Sequence, residues 1–79
     1  MNNPLRLKGN TRTVDIYDSG IYQMSPAVEG NLPQGLSGFY GILIVFGNTY
    51  YRSQLVIANE GTYSRVIEKE SFKEWRKLN

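Results

Sequence analysis

The chain has 79 residues, a formal net charge of +2, and neither cysteine nor histidine. A chain this short is one domain that buries only ~60% of its unfolded surface, and with no cysteine no disulfide can supplement its core. The missing His and Cys also exclude a zinc site of the usual kind and a His-dependent triad, and the mild, scattered charge requires neither nucleic acid nor an anionic membrane.

Residues 1–13 form a polar N-terminal arm in which Leu5 and Leu7 alternate with Arg6 and Lys8, the pattern of a short extended or edge segment. No apolar block of signal-peptide or membrane-span length lies in the first ten residues, so a soluble protein not exported under its own signal is expected. The remainder, residues 14–79, reads as a small antiparallel β-meander, mainly β, with at most one short helical turn. That turn is expected over 14–17, with Thr13 as N-cap, Asp15 near the positive end of the dipole and Gly20 closing it. A brief strand over 21–24 follows, stopped by Ser25-Pro26. Residues 27–37, with Gly30, Asn31, Pro33 and Gly35, have the composition of an irregular surface loop.

The central stretch, residues 38–58, carries the longest apolar run, Ile42 to Phe46, and then Gly47-Asn48 before a second aromatic and β-branched run. Read as a hairpin with a two-residue type II′ turn at Gly47-Asn48, this places Phe46 opposite Thr49, Ile44 opposite Tyr51, Ile42 opposite Ser53 and Tyr40 opposite Leu55. That face is mostly apolar and is the expected core. The other face, with Leu43 opposite Arg52 and Gly41 opposite Gln54, is mixed; together with Val45 it is the expected contact surface for other chains.

Asn59-Glu60-Gly61 offers a second turn with two possible registers. A three-residue loop bulged at Gly61 pairs Ile57 with Tyr63, Ser53 with Ile67 and Arg52 with Glu68, and is favoured. A two-residue loop turns every side chain of the third strand to the other face. The favoured register leaves Arg65 on the core side, reaching for the edge of the sheet to stay solvated. At the C-terminus, Ser71 with Glu74 makes a capping box ahead of Phe72, Trp75 and Leu78 at helical spacing, yet residues 75–78 also fit a last strand. The expected core is Tyr22, Ile42, Ile44, Tyr51, Leu55, Ile57 and Trp75.

No Gly-x-Ser-x-Gly, phosphate-cradling loop or carboxylate within an apolar strand is found, so no enzyme and no cofactor are expected. Binding fits better. Tyr50, Arg52 and Gln54 alternate along one strand, and with Tyr63 and Arg65 they are the candidate ligand residues: a ring beside guanidinium and amide groups suits a sugar or another protein. The same mixture on a sheet suits single-stranded nucleic acid by stacking, which is the alternative reading.

The order of motifs resembles the pyocin-knob type of domain found in tail fibres of bacteriophages and of phage-tail-like bacteriocins. The resemblance is carried by Asp18-Ser19-Gly20-Ile21-Tyr22, Asn31-Leu32-Pro33, Gly41-Ile42-Leu43-Ile44-Val45, Gln54, Gly61-Thr62-Tyr63-Ser64-Arg65 and the closing Phe72 to Leu78, so it spans nearly all of residues 14–79. Phe72 stands where such domains often have a second Trp, and no fibrous shaft precedes the domain in this sequence. The resemblance implies a compact antiparallel β domain displayed on a homotrimeric virion tail fibre made in the bacterial cytoplasm. It would act in host attachment through a cell-surface glycan, or as a structural part touching other tail proteins. It also implies a strand at the C-terminal end.

Overall fold

The computed structural model of the protein describes residues 5–79. They form seven strands and no helix: β1 (Leu7–Thr13), β2 (Gly20–Glu29), β3 (Gly41–Gly47), β4 (Tyr51–Ala58), β5 (Gly61–Glu68), β6 (Ser71–Phe72) and β7 (Arg76–Lys77). All belong to one sheet ordered β1-β2-β3-β4-β5-β6, with β7 also paired to β5. The polar arm expected over 1–13 lies within the described residues only from Leu5 onward, and most of that part is β1.

The middle of the sheet is an antiparallel meander, as its β-branched and aromatic runs predict. β1 departs from it by pairing with β2 in parallel, Leu7 beside Ile21 and Thr11 beside Met24. Parallel neighbours need a crossover, and here residues 14–19 supply it. Six extended residues reach ~20 Å, enough to run back along the sheet without a helix. No helical turn forms over 14–17; Thr13 Oγ1 still accepts the Asp15 amide at 3.0 Å, but the bond shapes a turn into the crossover. β2 does not stop at Ser25-Pro26 and continues to Glu29. Its ladder to β3 ends at Met24, so the missing amide of Pro26 faces no β3 partner.

Both hairpins differ in register from the expectation. Gly47 pairs with Arg52, not at the centre of a turn but at its base, and Ile44 meets Leu55 instead of Tyr51. Asn48 is the reason for this first difference. Its side-chain oxygen accepts the amides of Tyr50 (2.9 Å) and Tyr51 (3.0 Å), and its own amide donates to the Tyr51 carbonyl, closing a longer loop than two residues allow. Gly47 lies at φ 126°, and a Cβ there would stand 2.3 Å from the Tyr51 carbonyl oxygen. The β4–β5 turn is the two-residue Asn59-Glu60 form, with Ala58 opposite Gly61, Val56 opposite Tyr63 and Gln54 opposite Arg65.

The inner face is the one expected to be mixed. Leu43, Val45 and Val56 are fully buried, with Tyr22 and Met24 from β2 and Tyr63 and Ile67 from β5. Ile42, Ile44 and Leu55 are only half-buried on the opposite face, and Tyr51 and Ile57 are exposed. Of the expected core, Tyr22 is inside and Trp75 packs at its margin. Leu43 and Val45 are therefore no contact surface for other chains. The error at the β4–β5 turn is a slip of one residue and the face assignment is inverted, so the two cancel, and Tyr63, Arg65 and Ile67 point inward as expected.

A cover of irregular chain closes the inner face. Val14 and Ile16 come from the crossover, Leu32, Leu36 and Phe39 from the loop before β3, and Trp75 from the C-terminal end. Gly41 lets this cover sit close: a Cβ there would meet the Ile57 carbonyl at 2.9 Å and the Phe39 ring at 3.1 Å. The C-terminal segment is strand, not helix, with Arg76 beside Ser64 and Lys77 beside Tyr63; Ser71 lies in β6 and caps nothing.

Candidate functional site

Two polar groups at the centre of the core organise everything around them. Arg65 is 1% exposed and Gln54 is fully buried, side by side on β5 and β4. Arg65 Nε donates to Gln54 Oε1 at 2.6 Å, while Nη2 donates to the Val14 carbonyl at 2.9 Å and to Asp15 Oδ1 at 3.0 Å. Gln54 Nε2 donates to the carbonyls of Val14 (2.8 Å) and Ile16 (2.9 Å). The guanidinium carbon lies 4.2 Å from the centre of the Phe72 ring and 4.4 Å from that of Trp75, whose indole N–H donates to the Asn31 carbonyl at 2.6 Å. Asp15 Oδ2 accepts the Asn31 amide at 3.0 Å. Burial pulls the Arg65 pKa below its usual value and the bond to Asp15 pulls it back. Among the described residues no buried side-chain polar atom lacks a partner. This network fastens the cover to the sheet.

Of the five candidate ligand residues, Gln54, Tyr63 and Arg65 are therefore enclosed in the fold and hold it together. Tyr50 and Arg52 are not. They stand at the β3–β4 end of the sheet, where the crossover, the β3–β4 loop and the β5–β6 turn converge on two adjoining hollows of about 840 Å³ and 480 Å³. Tyr17, Thr49 and Arg52 line both. Asp18, Asn48, Phe46 and Tyr51 are among the other residues of the larger, and Tyr50, Lys69 and Glu70 complete the smaller.

The walls are held in place by bonds between segments distant in sequence. Arg52 lies over the Tyr17 ring with its guanidinium carbon 5.1 Å from the centre, and donates from Nη1 to the Lys69 carbonyl at 3.0 Å. Tyr17 stacks on Phe72 at 5.0 Å and donates its hydroxyl to the Glu70 carbonyl at 3.0 Å. Lys69 is the one described non-glycine residue at positive φ, 56°, and its amide donates to the Tyr50 carbonyl at 2.9 Å. Onto this frame project exposed rings: Tyr50 is 73% exposed, Tyr51 54% and Phe46 44%. Two cations, Arg52 and Lys69, are balanced by two carboxylates, Asp18 and Glu70. Such a cleft offers flat apolar faces beside donors and acceptors of both kinds, with its charges balanced.

Sequence reasoning missed Tyr17, Asp18, Asn48, Lys69 and Glu70. Tyr17 falls where a helical turn is expected, Asp18 just after it, and Asn48 reads as turn chemistry; nothing local shows that residues 17, 50 and 70 meet. Compared with known protein families, with curated proteins and with solved structures, the chain gives no match. The resemblance to pyocin-knob domains rests on the sequence motifs named above.

Proposed function

We propose that the chain is a non-enzymatic knob of a phage or prophage tail fibre, carried in three copies, that attaches to carbohydrate of the bacterial surface. The observation behind the binding part is the charge-balanced cleft, with Tyr50, Tyr51 and Phe46 exposed around the fixed pair Tyr17 and Arg52. A single-stranded nucleic-acid module would need its rings backed by uncompensated cations, and here each cation in the cleft has a carboxylate to match.

The test is binding to bacterial cells, to isolated cell-surface glycans and to single-stranded oligonucleotides, each at low and high salt. Glycan binding should change little with salt, because no counterions are released. Tyr50→Ala should weaken it about fivefold or more, taking the ~1–3 kcal/mol of a base stacked on an aromatic ring as the scale of a lost stacking ring, while leaving the melting temperature unchanged. Tight oligonucleotide binding that collapses with salt, and no cell attachment, would defeat the proposal. Absence of all binding would leave a structural knob of the fibre.

A further inference from the structure

We infer that the outer face of the sheet is an interface between copies of this chain. Opposite the core, Ile21, Ile44 and Leu55 stand in one row across β2, β3 and β4, and Ile42 and Ile57 in the next. Phe46 and Val66 flank Ser53 in a third. Ile57 is 43% exposed and Phe46 44%, and no described segment lies over them. This face is apolar enough to be mistaken for the core from sequence, yet the cover lies wholly on the other side.

Charge and area identify the occupant. On the outward positions of β3, β4 and β5 the one charged side chain is Glu68, at a corner and 3.6 Å from Lys73. Arg76 on β7, opposite Ser64, is the other charge on this side, so a second copy presenting the same surface meets like charge only at the rim. Four strands spaced ~4.8 Å apart and about seven residues long give a plan area of roughly 400 Å². Two such faces in contact remove about 800–1,000 Å² from water, below the ~1,200 Å² at which stable specific interfaces begin and in the range of weak, transient association. The edges are less suited: β1 carries Lys8 and Arg12 and two register irregularities, and the opposite edge consists of two-residue strands. An area this small implies weak association by the isolated chain, with dissociation constants micromolar or above, strengthened wherever copies are held together.

The inference rests on the proposed assembly only in that copies meet; it does not depend on sugar binding. Sedimentation of the full chain from ~10 µM to ~1 mM should show the mass rising from the 9.0 kDa of one chain to at least twice that. Ile57→Lys, at the end of the sheet away from the cleft, should hold the protein at one chain over the same range with an unchanged circular dichroism spectrum. As a measurement needing no variant, the methyl resonances of Ile21, Ile42, Ile44 and Ile57 should shift on dilution while those of Leu43 and Val45 do not. A single-chain mass at 1 mM with static isoleucine methyls, or association that Ile57→Lys leaves intact, would overturn the inference. An oligomer that binds no glycan would keep it and defeat the adhesin reading; a monomer that binds glycan would do the reverse.

Discussion

Arg65 is a charged residue at a position where position alone predicts an apolar one, and it is tolerated because five groups receive it. Two rings lie against it, 4.2 and 4.4 Å from its central carbon, and three oxygens within 3.0 Å take its fork. Lysine reproduces the charge but not the plane, so Arg65→Lys should destabilise the fold by ~3 kcal/mol or more in urea titration, a large share of what so small a domain has. Asp15→Asn should cost less, since the Asp15 carboxylate is partly solvated. Tyr22 makes a second prediction. Its hydroxyl donates to the Asp18 carbonyl at 2.8 Å, and burial first, the Asp18 charge second, raise its pKa above 10.0. As pH rises past ~10 the unfolded chain releases this proton while the folded one keeps it, so stability is full below that pH and falls above it. Tyr22→Phe should flatten the decline between pH 9 and 11, measured as the denaturation midpoint against the parent.

The strands themselves carry the lesson of the two faces. β3 is apolar at every position from Ile42 to Phe46, so alternation marks neither face as inner. The choice is made by the cover, whose Val14 and Ile16 carbonyls accept the donors of Gln54 and Arg65. Leu43→Ala should therefore cost ~2–5 kcal/mol, whereas Ile44→Ala, one residue along, should cost clearly less; equal losses in thermal or chemical denaturation would contradict the assignment. What is legible in the sequence is the set of strands from Ile21 to Ile67, since Gly, Asn and β-branched runs act locally; the inward side of β5 agrees only because a slipped turn and an inverted face cancel. The β3–β4 register is not legible, because a single side-chain oxygen on Asn48 lengthens that loop. Of the cleft, Tyr50 and Arg52 were visible as a ring and a guanidinium two apart. Their partners Tyr17 and Glu70 were not, since the contacts that unite them join residues up to 53 positions apart.

For the molecule as a whole, the network under the cover sets an order of events in folding. The β3–β4 and β4–β5 hairpins join neighbours in sequence, whereas the Asp15–Arg65 contact closes 50 residues and the Gln54 bond to Val14 closes 40. Local hairpins form in microseconds and long closures come after them, so the meander should be assembled in the transition state with the cover still loose. Arg65→Lys should then act on the exit from the native state: a ~3 kcal/mol loss should appear as unfolding roughly 100-fold faster, with the refolding rate nearly unchanged. Stopped-flow chevron plots would show it, and a slowed refolding arm would mean that the arginine is seated early. If the cover seats last, it also opens first. The lifetime of the native domain, and its resistance to proteases, would then be governed by how long one guanidinium stays against two rings.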